Sequence, residues 1–302
     1  MKVLVYGATG SQGGPVAEQL LGAGHQVRVL TRRPENAASL ASLGAEVVHG
    51  DMGDPASLGR ASEGVDAVSL LVPFFTQAPT DGLVYGRNAV EAAQAAGVRL
   101  LVWNPSGEIP PARSGNPGFD VRLDVLEHLE SSGVPYVVVQ PTAYMENFLG
   151  PWTRGEIADE DTFAYPTPNA VTMQWVATED VARFMVYALE HPELAPLNVK
   201  VSGPEALSGE GVAAGFSRGL GRNIGFRAMS PDEFGAKLDA VFPGMGEAAA
   251  QGYRMAYEQP ERFSTDVDIG AALERLPVTL TTLEAWVRAR AAAFSKTPEA
   301  AR

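Results

Sequence analysis

Gly7, Gly10 and Gly13 recur at intervals of three within VLVYGATGSQGGPVAEQLL, residues 3–21. A short β-branched run precedes them and an apolar, helix-forming run follows, so they mark a strand–turn–helix corner. At such a corner the first glycine permits a tight turn. The second lets the backbone approach a ligand, and the third lets the helix pack on the strand. The helix opening there presents free amides and a partial positive charge, which suits a diphosphate. A second strand about twenty residues on makes the pattern a dinucleotide-binding signature rather than a generic turn.

The rhythm of the following chain agrees. Strands are expected at 2–6, 26–30, 45–49, 67–72, 99–103, 136–140 and 198–201, each apolar on both faces as buried parallel strands are. Helical stretches such as 82–97 and 122–133 separate them, and both end at a glycine. The expected fold is α/β: a Rossmann-like, doubly wound parallel sheet with a smaller, mostly helical C-terminal lobe. The dinucleotide-binding domain is expected to span 1–150, completed by 177–201. The stretches 151–176 and 202–302, the latter read as helices without strand partners, form the smaller lobe. In open α/β sheets ligands bind at the carboxyl ends of the strands, so this lobe is expected to close one side of that cleft.

Composition removes several function classes. The net charge is −13 and basic residues are scattered, with only four lysines, so no direct nucleic-acid partner is expected. Without cysteine there is no disulfide, thiolate nucleophile or thiolate metal site, and the four histidines lie far apart in sequence, so no metal is expected. No apolar run is long enough for a membrane span or shaped like a signal peptide, giving a cytoplasmic expectation. Oligomeric state is left open.

The end of the second expected strand decides between cofactors. An NAD site usually carries an acid there, and an NADP site an arginine for the 2′-phosphate. This chain reads Thr31, Arg32, Arg33, with no acid before Glu35. A guanidinium fork grips a phosphate with paired hydrogen bonds, where a carboxylate would repel it. NADP(H) is therefore expected in preference to NAD(H), with one of the two arginines, Arg33, left as a solvated loop charge.

The stretches GATGSQGG, TRRP, GDMGDP, FDVRLDVLEHLESSGVPY and PTAYMENF, continued by VATEDVARFMVYALEHPE, SPDEF, FPG and TLTTLEAWV, resemble the NmrA-like family of atypical short-chain dehydrogenases/reductases. The resemblance spans nearly the whole chain. It implies an NADP(H)-binding domain in a family that includes transcriptional co-regulators, sensors of the NADPH/NADP ratio and reductases of quinones or other small molecules. By that resemblance Gly7, Ala8, Thr9, Gly10, Ser11, Gln12 and Gly13 hold the pyrophosphate, Gln12 reaching over it, and Arg32 holds the 2′-phosphate. Asp51 and Met52 flank the adenine; Asp51 either accepts from the adenine amine or caps the helix after Pro55. Val72, Pro73 and Phe74 stand beside the nicotinamide-side ribose, and Tyr144, Met145, Glu146 and Asn147 line the nicotinamide end. Where the family often has a lysine, this chain has Arg122. It either hydrogen-bonds a ribose hydroxyl or is an exposed residue in the first turn of a helix.

A short-chain dehydrogenase that reduces carbonyls uses tyrosine as proton donor, with a lysine four residues on. None of the eight tyrosines has one. Ser106 stands where the family's serine would, and Tyr144 remains able to donate a proton. Two readings follow. In the first, a redox sensor, cofactor occupancy changes a face that binds a regulatory protein partner. In the second, an NADPH-dependent oxidoreductase reduces a quinone-like, planar small molecule, with Phe74, Phe75, Tyr144, Phe148, Trp152 and Trp175 as candidate lining. The missing Tyr–Lys pair tilts the sequence reading narrowly toward the sensor.

Overall fold

The computed structural model describes residues 1–73, 81–113, 115 and 117–296. Its strands are β1 (Lys2–Val5), β2 (Gln26–Thr31), β3 (Glu46–His49), β4 (Ala67–Leu71), β5 (Leu100–Asn104), β6 (Tyr136–Pro141), β7 (Ala143–Tyr144), β8 (Thr162–Tyr165), β9 (Met173–Val176), β10 (Leu197–Val201), β11 (Ala206–Leu207) and β12 (Gly225–Ala228). The chain divides into two compact units. The first comprises 1–141, 178–201 and 269–279; the second comprises 142–177, 202–268 and 280–302. Residues 142–150 thus group with the second unit, and 269–279 return to the first. The sequence rhythm reads neither exchange.

In the first unit seven parallel strands run in the order β10-β6-β5-β4-β1-β2-β3. This is the Rossmann-like doubly wound sheet that the alternating pattern predicts. Val3, Leu4 and Val5 are all solvent-free, because helices cover both faces of the sheet. Leu4, Val68, Leu101, Trp103 and Val138 share one face with the helices Pro55–Ser62, Asp81–Ala96 and Pro117–Ser132. From β1 the chain builds outward to β2 and β3, then crosses back to place β4 on the other side of β1. The carboxyl ends of β1 and β4 therefore diverge, opening a crevice at the topological switch point.

The second unit is mostly helical, with two small sheets: β11-β9-β7 and the pair β12-β8. The expectation of helices without strand partners beyond residue 202 is corrected here. Strand β12 runs parallel to β8, pairing Phe226 with Phe163, and β11 runs antiparallel to β9. These strands are two and four residues long and largely exposed, so they leave no apolar run in the sequence. The unit's core is aromatic. The ring of Phe148 lies 4.4 to 6.4 Å, centroid to centroid, from those of Phe163, Tyr165, Trp175, Phe216 and Trp286. Among the described residues, no helix is long and apolar enough to cross a membrane.

Candidate functional site

The crevice of the first unit is a pocket of about 660 Å³ lined from the carboxyl ends of β1 to β5. Its floor is the glycine turn. Gly7 has φ +68°, a left-handed conformation that glycine adopts at no steric cost, and it accepts a hydrogen bond from the Gly10 amide at 3.0 Å. A Cβ on Gly13 would stand 2.5 Å from the Gly7 carbonyl oxygen, so only glycine lets the helix Gly13–Gly22 start this close to the strand. A Cβ on Gly10 would meet the Gly7 oxygen at 3.4 Å, a contact the protein tolerates. Gly10 itself is exposed and is not among the lining residues. Thr9 and Gln12 line the pocket with Gly7; Ala8 is buried, Ser11 is exposed, and neither lines it.

At the end of β2 the Thr31 hydroxyl accepts from the Arg33 amide at 3.1 Å and donates to the Arg33 carbonyl at 3.2 Å. This local turn separates the two arginines. Arg32 lines the pocket and Arg33 does not, although both are exposed. Arg32 has no acidic partner among the described residues. After β3, Asp51 and Met52 form a further wall. Asp51 Oδ1 accepts from the Gly53 amide at 2.7 Å and closes its own turn. The helix after Pro55 is capped instead by Asp54, which accepts from the Ala56 amide at 3.0 Å. The capping alternative for Asp51 is thereby removed. Asn88 donates to the Met52 carbonyl at 2.8 Å and ties this loop to the helix Asp81–Ala96. Val72 and Pro73 line the pocket after β4; Phe74 and Phe75 lie outside the described residues.

The end of β5 contributes an arrangement that the sequence did not reveal. Asn104, 2% exposed, accepts from the Ser106 amide at 2.7 Å and donates to Gln12 Oε1 at 3.2 Å, while Gln12 Nε2 donates to Ser106 Oγ at 2.7 Å. Ser106 holds φ +58°, uncommon for a residue with a side chain. Arg122 is 7% exposed and its Nε donates to the Pro105 carbonyl at 2.9 Å. It lies in the second turn of its helix, which starts at Pro117, so the exposed first-turn alternative is corrected. What Arg122 fixes is the loop that carries Ser106. Tyr6, Asp81 and Tyr85, also unforeseen, complete the wall. Burial pushes the Tyr6 hydroxyl far above the ordinary tyrosine range, so it stays neutral. The signal for Asn104 was its place at the carboxyl end of a strand beside the switch point.

Tyr144, Met145, Glu146 and Asn147 belong to the second unit. Tyr144 is buried and Asn147 half-buried. Met145, expected at the nicotinamide end, is 1% exposed and packs within the second unit's apolar core, so its expected place lining a ligand is corrected. Glu146 Oε1 accepts from Trp286 Nε1 at 2.9 Å and lies 3.7 Å from Arg290, a structural engagement. Phe148 and Trp175, read as candidate acceptor lining, are likewise core residues, whereas Trp152 is partly exposed and packs edge-on against Phe234. Among the described residues no group of acidic or histidine side chains could hold a metal ion.

This combination of glycine turn, helix N-terminus, exposed guanidinium and switch-point crevice is a nucleotide-type site. The family model described as the NmrA-like family matches residues 1–287. The chain belongs to the NmrA-like family. Within reach of this NmrA-like chain is a (4-alkanoyl-5-oxo-2,5-dihydrofuran-3-yl)methyl phosphate reductase of Streptomyces griseus, 36% identical over 80% of this chain and 82% of the relative. An NAD(P)H azoreductase of Xenophilus azovorans is 29% identical over 97% of this chain and 99% of its own. The fold is shared with the Citrobacter sp. triphenylmethane reductase complexed with NADP(H), at TM-score 0.78, 23% identity and coverage of 96% and 100% of the two chains. It is shared too with the negative transcriptional regulator NmrA in complex with NADP, at TM-score 0.71, 17% identity and coverage of 95% and 94%.

Proposed function

We propose that this NmrA-like protein binds NADP(H) in the pocket of its first unit and passes its reducing equivalents to a small planar acceptor. The observation that carries the proposal is Arg32. It is an exposed, pocket-lining guanidinium without an acidic partner among the described residues, at the strand end where an NAD site would carry a carboxylate. The residues fit the group: the Gly7–Gly13 turn and the amides of the following helix suit the diphosphate, Arg32 the 2′-phosphate, and Asp51 with Met52 and Tyr85 the adenine side. The cofactor, when bound, supplies hydride. The chain supplies orientation, with Gln12 and Ser106 held toward the pocket and the Ser106 loop braced by Arg122.

Reduction, rather than sensing, is supported by the reductase names of the two relatives described above, which align over most of this chain. A specific observation keeps the second reading, a redox sensor with a protein partner, in play. No tyrosine is followed four residues later by lysine, so the usual proton donor for carbonyl reduction is missing. Quinone-like and azo acceptors take their proton from water and tolerate that loss. The test is NADPH oxidation, followed by absorbance, against a panel of quinones, azo dyes and small enones. Saturable turnover with a planar acceptor is expected. Saturable NADPH binding with no turnover on any compound contradicts the reductase and supports the sensor.

A further inference from the structure

The three hydrogen bonds among Asn104, Ser106 and Gln12 form a closed ring, and its polarity follows from one group that cannot change. The Ser106 backbone N–H is only ever a donor, so the Asn104 atom 2.7 Å away is its carboxamide oxygen. The other end of that carboxamide is then the NH₂, which makes the Gln12 atom at 3.2 Å the acceptor oxygen. Gln12 must in turn direct its own NH₂ to Ser106 Oγ, at 2.7 Å. The serine oxygen is thus the acceptor in the ring, and its hydroxyl hydrogen is left to donate elsewhere. Both Gln12 and Ser106 line the pocket, whereas Asn104 is buried behind them.

We infer that Asn104 is the positioning residue of this site: it fixes which end of the Gln12 amide and which side of the Ser106 hydroxyl face a bound ligand. The inference rests on the reading that the pocket holds NADP(H). Asn104 also accounts for the unusual Ser106 backbone, since its carboxamide oxygen holds the Ser106 amide at φ +58°. Two side-chain amides and a hydroxyl are therefore preset before any ligand arrives, which lowers the ordering cost of binding.

Asn104→Asp separates positioning from packing. It is close to isosteric and still accepts from the Ser106 amide, but it cannot donate to Gln12. Gln12 then turns its NH₂ toward the new carboxylate and its oxygen toward Ser106. The experiment is a double-mutant cycle on NADPH affinity by fluorescence titration, using the parent, Asn104→Asp, Gln12→Ala and the double variant, with the Gln12 side-chain amide resonances recorded by ¹⁵N NMR without cofactor. Asn104→Asp is expected to weaken NADPH about tenfold in the parent background and less than twofold in Gln12→Ala, and to move the Gln12 NH₂ resonances. Equal losses in both backgrounds, or unmoved resonances, overturn the role of Asn104 while parental binding leaves the cofactor reading standing. Absence of NADPH binding by the parent overturns that reading and this inference with it.

Discussion

Arg32 and Arg33 are neighbours of the same type and charge, yet the Thr31 turn gives them different surroundings. A charge-assisted hydrogen bond contributes roughly 1.5–3 kcal/mol, so Arg32→Ala should weaken NADPH about 10- to 150-fold. The same change should leave NADH within about twofold and Arg33→Ala should leave both nearly unchanged. Parallel titrations of the two cofactors check this, and a variant that keeps the parent's preference contradicts the assignment. A second residue-scale expectation concerns Glu46, whose carboxylate lies 2.8 Å from Lys2 Nζ and 3.1 Å from Arg28 Nη2 at the opposite end of the sheet. The Lys2 hydrogen bond first, then that of Arg28, lowers its pKa. A lowered carboxyl pKa contributes stability above the ordinary glutamate value of about 4.3, which is lost as pH falls through the folded value. Since the Glu46 side chain is 47% exposed, solvent screening limits the gain to at most about 1 kcal/mol. Thermal unfolding of the parent and Glu46→Gln should differ at pH 6 and converge as pH falls through the lowered Glu46 value. A gap that widens on acidification contradicts the sign.

At the scale of elements, the corner between β1 and the helix Gly13–Gly22 is where sequence and geometry correspond most closely. The spacing of Gly7 and Gly13 announces a turn and a close packing, and the structure places a positive φ at one and a 2.5 Å Cβ approach at the other. Gly13→Ala must push helix from strand, because the obstructing atom is backbone, and overpacking of this kind costs about 1–3 kcal/mol. Chemical denaturation should show that loss together with weaker NADPH binding; unchanged stability contradicts the packing role. The seven strands of the sheet were legible to within about one residue at each end, since buried parallel strands are continuous apolar runs. The ring at Asn104 was not legible. Gln12 lies more than ninety residues from Asn104 and Ser106, across two of the ring's three bonds, and no local pattern signals a contact that only the sheet order creates. The pair β12-β8 escaped for a different reason: both strands are only four residues long, and β12 is largely exposed, so neither has a periodicity to read.

For the molecule as a whole, the two units rest on different cores. The first is an aliphatic sheet core, built by β-branched and leucine side chains, and every residue lining the pocket belongs to it. The second is an aromatic cluster centred on Phe148. Residues 141–176 are rich in proline and aromatic side chains, but apolar rings read the same in sequence whether they line a ligand or pack a core. Burial distinguishes them, and it assigns Phe148 and Trp175 to the core. Phe148→Ala should therefore cost about 3–5 kcal/mol of stability. Where that variant remains folded, its NADPH affinity should stay within about threefold of the parent. A stable Phe148→Ala protein with abolished acceptor reduction contradicts the core assignment and restores the ring to the substrate's wall.

The most direct measurement is calorimetric titration of the purified protein with NADPH and with NADH. One NADPH per chain is expected, saturable and at least tenfold tighter than NADH, with the difference abolished by Arg32→Ala. Equal affinities, or no heat of binding for NADPH at all, would contradict this expectation.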